Sequence, residues 1–414
     1  MLLGIVFVEI TLISHFSPRT SHFDTTNNLW RKQMMKRIVI IFILINLLIF
    51  PNVNATDEII SSQIDTLNLS SFIDEGEKYT EEIFPDIDLN NLLNSAIRGE
   101  VDNKQIYNGI LSIFGDEVLS AISLLGTILI VIIIHSLLKS FTENLSKNEG
   151  IGQIAYYVEY ILIVALIMAN FSNIINMMKE SISNLVGFVN CIVPILLALM
   201  SATGSVTSVT LIQPLIIFAV VFIANTITIV VLPITLIATA LGIVSNLSEK
   251  IQIGKLSKFL KSGVTWFLGV VITIFVSILS LEGGLTSNVD GLAAKGIKSA
   301  ATTFIPVVGK ALGESVDMVI GSTALLKNSI GIVGMFVIIG ICAMPIIKLT
   351  ILTITYHFAS AICEPLADKK IVSLLEQMGE TFKVLLGIMF FASVLLIIGL
   401  AMCVKISNSG MMYR

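Results

Sequence analysis

Few groups in this chain are equipped for chemistry. Of its four histidines, His15 and His22 precede the start argued below, which leaves too few general bases for an obvious active site. No HExxH metalloprotease helix, GxGD aspartyl motif, GxSxG elbow or GxxxxGK[ST] phosphate loop occurs. Cys191, Cys342, Cys363 and Cys403 lack CxxC spacing and lie in or beside apolar segments, so they read as small buried hydrophobes rather than metal ligands or a disulfide framework. The sequence therefore predicts no catalytic, cofactor-binding or metal-binding residues and no enzyme. ATP-dependent work would need another subunit.

What remains is polarity inside apolar surroundings. His135, Glu159, Asn170, Asn190 and Asn225 fall in or near long apolar runs. A charge in hydrocarbon costs about 2.5 kcal/mol upward, so such residues commonly mark a pathway or a pair. Glu159 and Asn170 are the candidate intramembrane polar groups. Glu159 stands about one turn into its run, where an interface would solvate it, and that placement is favoured over a pathway role. His135, near a run's end, reads the same way.

The elements that position these residues are membrane helices. Hydrophobic residues make up 55% of the 414 and charged residues only 13%, against about 25% charged in soluble domains. Helical spans of about 20 residues are expected near Leu119–Leu138, Ile154–Ile175, Leu185–Ser201, Leu211–Val231, Val264–Leu281, Ile330–Thr353 and Val384–Val404. Residues 211–246 are uncharged and interrupted by Pro214 and Pro233. They are long for one helix and short for two, so a span followed by a short second span or re-entrant segment is expected, broken at Pro233. The fold class is all-α, a polytopic transmembrane protein of about seven to eight spans.

The N-terminal third carries targeting information. "MMKRIVIIFILINLLIFPNVNA" has a basic n-region, an apolar h-region and a Val53-Asn54-Ala55 end fit for signal peptidase. Residues 35–55 thus read as a signal peptide cleaved between Ala55 and Thr56, and residues 1–34 as an upstream extension from a misassigned start. The exported segment 56–117 holds fourteen Asp/Glu against three Lys/Arg. Leu69, Phe72 and Ile73, then Leu89, Leu92, Leu93, Ala96 and Ile97, follow helical spacing. So short a segment is a thin basis for its own core, and its helices should cover the membrane domain or dock on a partner. A first bundle at 118–281, an exported segment at 282–328, C-terminal spans with a charged cytoplasmic loop at 329–407 and a tail at 408–414 complete the division.

Orientation rests on "SEKIQIGKLSKFLKSG", residues 248–263, whose Lys250, Lys255, Lys258 and Lys261 place it in the cytoplasm. With an exported N-terminal segment, that side is reached only if residues 211–246 cross twice. Eight spans with both mature termini outside are then expected.

Between two apolar runs lies "FIPVVGKALGESVDMVIGS", Phe304–Ser322. On a helical wheel Val308, Ala311, Leu312, Val316, Val319 and Ile320 share one face, opposite Lys310, Glu314 and Asp317. The preceding residues repeat the pattern, and Pro306 separates the two. The expectation is an interfacial pair of amphipathic helices, with Gly309 and Gly313 admitting a neighbour in GxxxG spacing. Partner docking by Pro306, Gly309, Lys310, Gly313, Glu314 and Asp317 is weighed equally against helices merely resting on lipid or on neighbouring spans.

"FIPVVGKALGESVD" followed by "GSTALLKNSIGIVG" resembles the signature region of the stage III sporulation protein AE family of endospore-forming bacteria. The order of signal peptide, acidic segment, spans, this motif and a "CEPLADKK" loop between the last two spans resembles it too, over roughly residues 35–414. The resemblance implies a multi-pass subunit of the mother-cell membrane facing the forespore. Its implied partners are the AA ATPase, the other stage III proteins AB to AH and forespore protein Q, in a channel or secretion-like complex supporting late forespore gene expression under sigma G. Lipid is a partner and nucleic acid is not. The alternative is an autonomous secondary transporter, for which broken apolar segments speak, though no convincing inverted repeat does.

Overall fold

A computed structural model describes residues 69–409 except 82, 86, 101–102, 146–148, 248–252 and 305–308, with the backbone alone along some helical stretches, chiefly 138–153 and 281–317. The cleavage site at Ala55 and Thr56 lies outside the described residues. Every element among the described residues is helical: α1 Leu69–Thr80, α2 Leu89–Arg98, α3 Asn103–Leu145, α4 Glu149–Ala202, α5 Val206–Asn225, a π segment Thr226–Val231, α6 Leu232–Leu247, α7 Gly254–Phe304, α8 Gly309–Cys363 and α9 Lys369–Ser409. Among the described residues six segments are long and apolar enough to cross a membrane: Gly109–Ile134, Tyr160–Ala202, Ser208–Leu247, Gly254–Ile278, Met318–Cys363 and Lys369–Lys405. This all-α polytopic architecture is the expected class.

Six differs from seven or eight for two reasons. The expected spans 154–175 and 185–201 are halves of one uninterrupted helix, α4, because Lys179 and Glu180 are exposed on its surface and adjacent charges do not stop a helix. Residues 208–247 likewise form one rod rather than a span and a re-entrant piece. At the junction Leu232 N–H donates to Ile227 O, five residues back. That wide turn sits immediately before Pro233, whose ring would crowd the carbonyl four residues earlier in a regular α-helix. The proline is absorbed without a break. A third correction concerns Lys255, Lys258 and Lys261, which were read as loop residues and stand in the first turns of α7.

The helices on either side of Pro306 also differ from short interfacial ones. The upstream arm is the end of α7 and the downstream arm the start of α8, each running on into its neighbouring span. At 51 and 55 residues, α7 and α8 are each about 75–85 Å long, well beyond about 30 Å of hydrocarbon.

α8 is the central helix, packed most extensively against α9 and touched also by α1, α2, α3, α4 and α7. α1 and α2 form a clasp on it. Leu69, Phe72 and Ile73, and Leu89, Leu92, Leu93 and Ala96, are buried, as the periodic face read from the sequence requires, while Ile97 at its margin is half-buried. The Asp88 carboxylate accepts from the Asn90 and Asn91 N–H groups at 2.7 and 3.2 Å, satisfying donors at the start of α2. Gly99, at φ 74°, closes its other end. Phe84 packs at a tilt against Phe336 with ring centres 5.0 Å apart, and Phe72 against Phe188 at 5.9 Å.

Candidate functional site

Polar side chains cluster where the long helices meet. The first group joins α6, α7 and α9. Ser257 donates its hydroxyl to Ala238 O at 2.6 Å, and Lys261 donates Nζ to Thr381 Oγ1 at 2.6 Å and to Gln377 O at 3.1 Å. Thr381 in turn donates to Gln377 O at 2.9 Å, so the ammonium is held by a hydroxyl already polarised by its own helix. Gln377 Oε1 is buried with no hydrogen-bond partner among the described residues. It points at Gly242, where a β-carbon would stand 2.6 Å from it. Lys261 is only 8% exposed, and donating to these oxygens is what makes a buried ammonium tolerable.

Beside it, His357 of α8 lies across Gly379 of α9. Its Nε2 is 3.8 Å from Glu380, which also receives Lys383 at 3.0 Å. On the other side of α8, Lys348 pairs with Glu117 of α3 at 3.0 Å, and that carboxylate is only 12% exposed. Farther along α8, Lys327 is fully buried and donates to Val404 O of α9 at 3.0 Å. Tyr356, also fully buried, lies 5.1 Å from the Phe382 ring, and its hydroxyl has no hydrogen-bond partner among the described residues.

The residues singled out from sequence fall elsewhere. Asn170 donates to Leu166 O at 3.1 Å, within its own helix, and joins no cluster. The Glu159 side chain lies outside the described residues. So does Pro306, and for Gly309, Lys310, Gly313, Glu314 and Asp317 only the backbone is described, as the first turns of α8. The clustered residues missed by sequence reasoning are Glu117, Lys327, Lys348, Gln377 and Glu380, while Lys261 was singled out only as a charge that sets orientation. A signal for some was present, since lysines at 261, 327, 348 and 383 bracket charge-free runs.

Chemically the arrangement clamps helices together. Among the described residues no three His, Cys, Asp or Glu converge as metal ligands, and no histidine or carboxylate is placed against a hydroxyl or thiol nucleophile in the contacts above.

The family model described as stage III sporulation protein AE matches residues 87–407. This chain belongs to that family. The AE match spans the second clasp helix, all the long helices and every polar cluster just described. The chain is also 28% identical over 298 residues to the stage III sporulation protein AE of Bacillus subtilis (strain 168), covering 72% of this chain and 74% of that protein. No solved structure matches it.

Proposed function

We propose that this AE-family chain is a non-enzymatic, multi-pass membrane subunit of the stage III sporulation complex. On this reading it sits in the mother-cell membrane facing the forespore, with the other proteins of the AA-to-AH set and forespore protein Q. The complex works as a channel or secretion-like apparatus that sustains late forespore gene expression under sigma G. The observation that carries this reading is the AE-family match over residues 87–407, on a chain with six membrane-capable helices. Energy from ATP would enter through the AA ATPase.

The orientation we propose keeps the N-terminal segment exported and the lysine-bearing residues between α6 and α7 cytoplasmic. Continuity of α4 and of residues 208–247 supports this orientation, because each is long and apolar enough for a single crossing. Residues 291–320 are the proposed docking surface, with Gly309 and Gly313 allowing close approach.

Affinity capture of the chain from sporulating cells tests the reading. Recovery of other stage III proteins is expected. Their absence from a capture of membrane-inserted chain, together with ion-coupled solute uptake by the purified protein alone, would replace it with an autonomous transporter.

A further inference from the structure

Contacts between helices fix which residues share a height in the bundle. Val193 of α4, Ile216 of α5, Phe275 of α7, Ile338 of α8 and Leu395 of α9 meet around one apolar gap. To one side of it Lys327 reaches Val404; to the other, Lys261 reaches Thr381 and Phe171 packs on Phe382. Residues 262–281 of α7, 328–347 of α8 and 384–404 of α9 carry no charge. Each run is about 30 Å long as a helix, the thickness of hydrocarbon, and all three are centred on the gap. α4 beyond Glu180 and the whole of α5 are uncharged at the same height.

Charges close this layer at both edges. Lys179, Lys261, Lys348 and Lys383, with Glu117, Glu180 and Glu380 among them, mark one edge, and Glu282, Lys327 and Lys405 the other. Four lysines at one edge suit the cytoplasmic side. A layer nearer the 364–368 turn fails, because there α8 offers only residues 349–363, too short to cross, and α7 and α9 carry Lys255, Lys258, Glu376 and Glu380. On this placement the apolar runs of α3 beyond Glu117 and of α4 before Lys179 lie past the lysine edge.

The clasp stands at mid-height of the layer. Phe72 touches Phe188, Phe84 touches Phe336, and Thr80 faces Gly340. Its outer side carries Asp74, Glu77, Glu81 and Asp88 with Lys78 and Arg98. In hydrocarbon each such charge would cost about 2.5 kcal/mol or more. α5, by contrast, packs on α4, α7 and α9 and turns Phe218 outward, 66% exposed.

We propose that α1 and α2 line a water-filled cavity reaching the mid-depth of the bilayer from the exported side, while the α5 flank at the same height meets lipid. The proposal takes from the preceding section only the exported side of the N-terminal segment. Which complex the chain serves does not enter.

The test uses the full chain in phosphatidylcholine vesicles. In a background with Trp30 and Trp266 replaced by Phe, Phe218→Trp should be quenched several-fold more by mid-chain-brominated lipid than Ile130→Trp on α3. In a Cys191→Ala background, Ser71→Cys on the clasp's outer side should react with a water-soluble thiosulfonate several-fold faster than Phe218→Cys. Stronger quenching at position 130 than at 218 would overturn the placement. A Ser71→Cys no more reactive than Phe218→Cys would overturn the cavity even with the placement upheld.

Discussion

Gln377 aims its buried side-chain oxygen at Gly242, 2.6 Å from where a β-carbon would stand, with Ser257 Oγ 3.1 Å from the same point. Helices α6, α7 and α9 approach this closely only because position 242 has no side chain. Gly242→Ala should cost about 1–3 kcal/mol, as overpacking does, in denaturant unfolding of the solubilised protein. Adding Gln377→Ala should recover most of that loss. Full cost in the double variant would show that the amide is not the obstacle.

Two ion pairs of equal length should differ in worth. Lys348–Glu117 and Lys383–Glu380 both measure 3.0 Å, but the Glu117 carboxylate is 12% exposed and that of Glu380 48%. Lys348→Met leaves a nearly buried charge unpaired and should cost about 1–3 kcal/mol. Lys383→Met should cost no more than about 0.5 kcal/mol. Equal losses in the same unfolding assay would contradict the burial argument.

Tyr79 makes clasp stability fall at high pH. Its hydroxyl donates to Glu75 at 2.6 Å. Partial burial, then that bond and the Glu75 charge, push the phenol up to about 12. The unfolded chain releases this proton near pH 10, so the contribution is complete below about pH 10 and disappears as pH climbs towards about 12. Tyr79→Phe should flatten that limb of the stability–pH curve. An unchanged limb would assign it to other groups.

Phe84 is 2% exposed between Phe336 and Gly109. Phe84→Ala should cost about 3–5 kcal/mol and speed proteolysis between α2 and α3 in the solubilised protein. An unchanged cleavage rate would mean that the clasp is held mainly by α1.

The clasp helices were legible because a one-sided apolar face leaves a 3.6-residue rhythm: Leu69, Phe72 and Ile73 announced α1, and Leu89, Leu92 and Leu93 announced α2. Span count was less legible, since hydropathy registers the Lys179–Glu180 pair as an interruption although backbone hydrogen bonding passes through it. Pro233 misled for a related reason: a wide turn two to seven residues upstream accommodates the ring, and residue type alone does not reveal that turn. The polar clusters were hidden most deeply. Lys261 and Thr381 lie 120 residues apart in sequence, and only tertiary packing discloses that they meet.

The clasp also imposes an order on biogenesis. Phe72 and Phe84 are synthesised early, yet Phe84 rests on Phe336 of α8, made more than two hundred residues later. Closing so long a loop is slow, and until α8 arrives the apolar faces of α1 and α2 have no native seat. A nascent chain would therefore hold them exposed through most of its insertion, the interval in which chaperones and proteases act on unfinished chains. Pulse-labelled chains should pass from protease-sensitive to protease-resistant at the clasp only after residue 336 has been inserted.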